Sequence, residues 1–317
     1  MKPAPFEYFA PTSVEQALAH LAEYGEEAKV LAGGQSLVPM MNFRLVQPSV
    51  LVDLNSIPDL AFIQPDADGG LRLGALTRHH QVEVDPLVAE RMPLLHEAMP
   101  KIGYPQIRRR GTLGGSLCHA DPSAELVAVS VALNARFRLR SPQAERWVPA
   151  RDFFVALFTT VLQPDELLVE VALPPLPART GASFLEVARR RHDFALVGVA
   201  ALVSLDENGG CRRARMVFLS AGDRPMEAHR AAEVLTGHAP TPEAIRAAAE
   251  IAASDDIDPS SDIHATAEFR RHLAKVLARR ALDLACRRAA EKEWDGNHGA
   301  NHAQALRSSR YGQRHAL

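Results

Sequence analysis

Two glycine pairs constrain this chain more than any other feature. The first closes the apolar run "KVLAGGQSLVPMMNFRL" at Gly33 and Gly34, and the second lies within "RRRGTLGGSLCHADPSAE" at Gly114 and Gly115. An apolar strand that stops at adjacent glycines brings backbone N–H groups within reach of an anion, because glycine lacks a Cβ and tolerates positive φ. Alone, such a pair also suits a plain strand-end turn. Two pairs, one beside Ser36 and the other between Thr112 and Ser116, can line opposite sides of one pyrophosphate.

Downstream of the second pair, Asp121 and Glu125 bracket Pro122. A carboxylate in that position suits ribose hydroxyls, which donate to it. Together these features describe a dinucleotide site, yet neither G-x-G-x-x-G nor G-x-x-x-x-G-K-[ST] occurs. Only five lysines occur in the chain and none lies in either glycine loop, so phosphate charge would have to be met by peptide dipoles, with arginine as a further cation.

The 317 residues suffice for two domains with separate cores. Hydrophobic residues at 47% and charged residues at 23% are the balance of a globular protein. A net charge of -2 gives no global attraction to nucleic acid or an anionic membrane. No apolar run reaches the roughly 18 residues of a membrane span. "MKPAPFEYFAPTS" lacks the basic and apolar regions of a secretory signal, so a cytoplasmic location is expected. Cys118, Cys211 and Cys286 form no CxxC pair, which argues against a disulfide framework and against a metal or cluster site in this chain.

The spacing of Val14, Ala17, Leu18 and Leu21 predicts a helix capped by Ser13 and stopped at Gly25. "AKVLAGG", "SVLVDL" and "LRLGAL" read as strands, Leu87 to Met99 as helix, "FRLRSPQAERWVPARDFF" as a hairpin with a short helix, and "DELLVEVALPP" as a strand. The proline-rich "LPPLPARTGAS" marks a boundary. Beyond it, three strands precede a run of helices, the order of a separate α+β domain. The expected division is 1–176, 177–290, and a flexible tail at 291–317.

"LAGGQSLVP", "IGYPQIRRRGTLGGSLCHADPSAE", "TTVLQPDELLVEVALP" and "ARRRHDFALVGVA" resemble, in order and spacing, the FAD-binding medium subunit of molybdenum hydroxylases of the carbon monoxide dehydrogenase and xanthine dehydrogenase family. The resemblance spans about Pro5 to Ala290. It implies an α+β fold: a p-cresol methylhydroxylase-type FAD-binding domain of two subdomains, then an α+β C-terminal domain of the carbon monoxide dehydrogenase flavoprotein type.

Carried over, Leu31, Ala32, Gly33, Gly34, Gln35, Ser36 and Leu37 form one pyrophosphate loop, and Thr112, Gly114, Gly115 and Ser116 belong to the other. Ile102 and Leu162 are apolar neighbours of the cofactor, and Glu125 the acidic residue near the adenosine ribose, with Asp121 a second candidate. Where the family often has a lysine contacting FAD, this chain has Leu185 and Glu186, leaving Arg189 or Arg190 as the substitute.

The resemblance further implies a large partner with a molybdenum cofactor and a small partner with [2Fe–2S] clusters, as a dimer of heterotrimers. Electrons from the small subunit would leave through FAD to an external acceptor, with no catalytic acid or base and no metal in this chain. A self-contained flavin oxidase of the vanillyl-alcohol-oxidase fold group is the alternative, and a non-catalytic assembly protein a third reading. Of the remaining residues, His119 and Tyr104 read equally as site or as packing. His79 and His80 read as a solvated helix entry, Cys118 as a small buried residue, and Arg108 to Arg110 as a solvated face or a subunit contact. His298 and His302 are not expected to bind metal.

Overall fold

The computed structural model describes residues 2–309, with side chains described for residues 2–292. His298, His302 and most of the expected tail fall outside the described side chains.

Short parallel strands with intervening helices open the chain: β1 (Glu7–Phe9), α1 (Val14–Tyr24), β2 (Ala28–Leu31), α2 (Leu37–Asn42) and β3 (Val50–Asp53). The strands pair in the order β1-β3-β2, with β3 parallel to both neighbours. Ser13 caps α1 by accepting from the Gln16 amide at 3.2 Å, and the predicted face of Val14, Ala17, Leu18 and Leu21 is buried against Val50 and Val52. The strand β1 carries only partly covered side chains and has no period in the sequence, which is why pattern reading passes over it.

Next come β4 (Ile63–Pro65), β5 (Leu71–Gly74), the helices α3 (His79–Val84), α4 (Pro86–Arg91), α5 (Pro93–Ala98), α6 (Pro105–Arg110), α7 (Leu113–His119) and α8 (Glu125–Ala132), then β6 (Arg136–Arg140), β7 (Glu145–Pro149), α9 (Ala150–Phe153), β8 (Phe154–Ala156), β9 (Thr159–Thr160) and β10 (Leu167–Leu173). A five-stranded antiparallel sheet in the order β4-β5-β10-β6-β7 carries this subdomain. Its central strand β10 buries Glu170, whose carboxylate is paired with Arg72 at 2.5 Å and Arg138 at 3.3 Å from the flanking strands. Leu167 and Val169 of β10 enter the core of the first subdomain, while Leu168 and Val171 enter that of the second. The alternation of one strand therefore joins the two.

Residues 174–179 lead into β11 (Thr180–Ala188), β12 (Ala195–Leu205), β13 (Cys211–Leu219) and β14 (Met226–Glu227), an antiparallel sheet in chain order, followed by α10 (His229–Leu235), α11 (Pro242–Asp255) and α12 (Ala267–Ser309). Both faces of this sheet are covered. Val197, Val199, Ala201 and Val203 pack against the helices, whereas Ala200 and Leu202 join the core built by α5 and α8. That double burial explains why "ALVGVAALVSL" is apolar throughout. Among the described residues no helix is long and apolar enough to cross a membrane.

At Gly181 the strand β11 lies directly under α12. A Cβ there would meet the Ala285 carbonyl and lie 2.6 Å from the Ala289 amide nitrogen. Gly181→Val should lower unfolding stability by about 1–3 kcal/mol through overpacking against helix backbone that cannot yield, measured by denaturant titration. An unchanged midpoint would refute the contact.

Candidate functional site

A cleft of ≈ 1660 Å³ is lined by residues from both N-terminal subdomains and from the C-terminal domain. Its wall includes Ala32 to Leu37 from the segment between β2 and α2, Thr112 and Gly114 to Ser116 from the start of α7, and Asp121 and Glu125 at the start of α8. Ile102, Leu162, Arg189 and Arg190 complete the set expected from the sequence. Leu31 alone of that set ends β2 outside the wall. The C-terminal domain adds Gly222, Asp223, Asp262 and His264, for which the sequence offered no motif.

The first glycine segment is an anion nest. Gly34 has φ +71°, and a Cβ on Gly33 would strike the Arg110 carbonyl and lie 2.8 Å from the Gly111 Cα. One glycine is thus needed for its backbone angle, the other for close approach to the second loop. The carbonyls of Ala32, Gly33 and Gly34 are held by Asn55 Nδ2 (2.9 Å), Gln35 Nε2 (3.1 Å) and Val38 N (3.1 Å). Among the described residues, the amides of Gly33, Gly34, Gln35, Ser36 and Leu37 donate to no protein group and border the cleft. Gly33 is buried and Gly34 and Leu37 half-buried, so these N–H groups are left for an acceptor in the cleft, while Gln35 and Ser36 are exposed.

The second segment works differently from the sequence expectation of symmetric amide donation. Leu113 N donates to the Thr77 carbonyl (2.9 Å), Gly114 N to that of Ala75 (2.8 Å), Gly115 N to Thr112 Oγ1 (3.1 Å) and Ser116 N to the Thr112 carbonyl (3.1 Å). Its amides are engaged within the fold. A Cβ on Gly114 would lie 2.7 Å from the Ala75 Cβ, and one on Gly115 2.6 Å from Thr112 Oγ1. Gly114 thus lets α7 sit on Ala75, just beyond β5, and Gly115 leaves room for the Thr112 hydroxyl that caps the helix.

His79 corrects the solvated reading. It is buried, with Nε2 2.9 Å from the Thr112 carbonyl and Nδ1 unpaired, and burial pulls its pKa down to about 4. The ring is neutral and donates from Nε2 to brace the loop. The arginine run also divides: Arg108 is buried, binding both oxygens of Glu83 (2.8 and 2.9 Å) and the Ile102 and Gly103 carbonyls, while Arg109 and Arg110 are exposed. Arg108 thereby fixes the segment that puts Ile102 in the cleft. Cys118 lines the wall with its thiol pushed up to about 12 by burial, an inert small residue as expected.

Two aromatic pairs reach the cleft wall through Phe158, His119 and His192: Phe158 against His119 (centroids 5.1 Å) and Tyr104 against His192 (5.0 Å). Phe158 and His192 both adopt positive φ, 53° and 72°. No sequence signal marks these partners, because they are far apart along the chain.

Glu125 opens α8, partly buried in the wall of the same cleft. Burial above all, then the carboxylates of Glu186 and Asp121, pushes its pKa up to about 8. Desolvation likewise raises Glu186, one of whose carboxylate oxygens is buried without a partner. A folded pKa above the unfolded value means the unfolded chain releases this proton first. Stability of the flavin-free protein is therefore lost as pH rises from the ordinary 4.5 to about 8, and the loss is complete above that. Glu125→Gln should remove this slope, so that its thermal midpoint gains on the wild type between about pH 5 and 8; parallel midpoints across that range would show that Glu125 does not titrate there.

A cleft bordered by one row of free amides and by the Glu125 carboxyl is of the kind that suits a dinucleotide. Residues 4–176 match the family described as the FAD binding domain in molybdopterin dehydrogenase, and residues 182–285 match the CO dehydrogenase flavoprotein C-terminal domain. The 6-hydroxypseudooxynicotine dehydrogenase complex subunit alpha of Paenarthrobacter nicotinovorans is 43% identical over 289 residues, covering 91% of this chain and 97% of that one. The carbon monoxide dehydrogenase medium chain of Hydrogenophaga pseudoflava is 36% identical over 290 residues, covering 92% and 100%. A solved structure of the carbon monoxide dehydrogenase from Hydrogenophaga pseudoflava superposes with a TM-score of 0.88 at 37% identity, over 91% of this chain and 99% of its own. The chain belongs to this family of FAD-binding medium subunits of molybdenum-containing dehydrogenases.

Proposed function

We propose that this chain holds FAD along the cleft as the flavoprotein subunit of a heterotrimeric molybdenum hydroxylase, linking the [2Fe–2S] clusters of a small partner to an external acceptor. The free amides from Gly33 to Leu37 carry this reading, since five donors facing one cleft match the oxygens of a pyrophosphate. FAD supplies the capacity to take electrons singly and give them up in pairs. Glu125 accepts from ribose hydroxyls, with Asp121 beside it, and Ser116 donates its hydroxyl from the opposite wall. Ile102 and Leu162 give apolar surface that keeps water from the ring system, and Arg189 or Arg190, both in the cleft wall, replaces the lysine that the family often has at the position of Leu185 and Glu186.

Substrate chemistry falls to the large partner, which holds the molybdenum cofactor, and the assembly is a dimer of heterotrimers in the cytoplasm. This chain binds and orients its cofactor and has no substrate-level proton transfer to perform. The covered C-terminal sheet supports a scaffold role, because both its faces are committed to internal packing.

Purification under native conditions should yield this chain with two further polypeptides, releasable FAD and iron–sulfur absorption; a flavin-free complex would end the proposal. Gly33→Val should abolish FAD retention, because its side chain would push the nest off the Arg110–Gly111 backbone. Retention of stoichiometric FAD by the folded variant would move the pyrophosphate elsewhere.

A further inference from the structure

The direction of the nest's first donor is set from outside the nest. Carbonyl and N–H of one trans peptide point in opposite directions. The unit joining Ala32 to Gly33 has its carbonyl bound by Asn55 Nδ2 at 2.9 Å, which turns the Gly33 N–H away from Asn55 and toward the cleft. A donor on the carbonyl also polarises the N–H of the same peptide, making it a better donor.

Asn55 has no freedom to flip. Its Oδ1 accepts from Arg78 Nη2 at 2.5 Å, and a guanidinium only donates. Nδ2 must then face acceptors, and it does: the Ala32 carbonyl and Asp53 Oδ1, the latter at 2.5 Å. Asp53 Oδ1 also receives the Asn55 amide at 2.8 Å, and its Oδ2 receives the Tyr8 hydroxyl at 2.6 Å. From the other side, Arg78 Nη1 donates to the Arg110 carbonyl, the same carbonyl against which Gly33 is pressed. One exposed side chain therefore touches the first loop directly and reaches the second through Arg78.

We propose that Asn55 is a positioning residue for the cofactor: it aims the Gly33 N–H at the pyrophosphate and, with Arg78, sets the spacing of the two loops. The proposal rests on the FAD reading above and adds a residue that borders no part of the cleft. Asp53 and Tyr8 act behind it by holding its amide in one orientation.

The test uses the purified complex, stripped of flavin and titrated with FAD, with 31P NMR of the bound pyrophosphate as a readout that general stability does not move. Asn55→Ala should raise the FAD Kd about tenfold and shift the 31P resonances, with circular dichroism and the thermal midpoint of the flavin-free form unchanged. Asn55→Asp keeps the size of the side chain and the Arg78 contact but replaces the donor to Ala32 with an acceptor, and should weaken binding at least as much. Wild-type Kd and 31P shifts in either folded variant would overturn the role of Asn55 while leaving the FAD reading intact. A wild-type complex that takes up no FAD would overturn both.

Discussion

Everything at the cleft depends on one contact between two stretches of backbone. Gly33, leaving β2 of the first sheet, lies against the Arg110–Gly111 peptide, where the second subdomain turns from α6 into α7. No side chain fits between them. The contact sets the distance between the nest and the start of α7, and hence the width of the channel. Elements far from it serve to hold it: His79 grips the Thr112 carbonyl, Gly114 lets α7 sit on Ala75, and Arg108 ties α6 back to Glu83 and to the carbonyls next to Ile102.

In the proposed site, phosphate charge is met chiefly by backbone amides, with Lys29 also in the cleft wall. A row of aligned amides offers partial positive charge that costs no desolvation of an ammonium group and no side-chain entropy, and its carbonyl ends are already bonded. The carboxyl groups of Glu125 and Glu186 are the opposing term. Both are held above the ordinary carboxylate range by burial, so a cleft without hydroxyl donors for Glu125 retains its proton. Flavin-site electrostatics and protein stability are in this way coupled through one residue that touches the cleft.

The C-terminal domain is more than an appendage to this arrangement. Its sheet is shared between two cores, so the loops that follow β11 and β13 are carried to the cleft on a rigid support. Arg270 of α12 reinforces that support from within, reaching the Leu196 carbonyl and, at 2.6 Å, the Asp262 carboxylate.

The sequence by itself determined the elements and the main site segments. The 3.6-residue spacing in α1, the apolar runs of β2, β3 and β10, the change to strands and then helices after Leu173, and the two glycine pairs are all local signals, and each stands in the structure where its pattern put it. Every residue nominated for the site except Leu31 lines the cleft, those that came from the family resemblance included. Tertiary structure decided what each residue does there. The glycine pairs look alike in sequence, yet one presents free amides and the other has its amides bonded within the fold, because only the second forms the capped first turn of a helix seated on Ala75 and Thr77. His79 reads as a solvated helix start until Thr112 closes over it, and Arg108 looks like its two neighbours until Glu83 arrives from another helix. Asn55, Arg78 and the aromatic pairs at the cleft wall carry no pattern, since their partners lie tens of residues away. A local period records which face of an element is buried; which donor is left free depends on contacts that exist only after distant segments have packed.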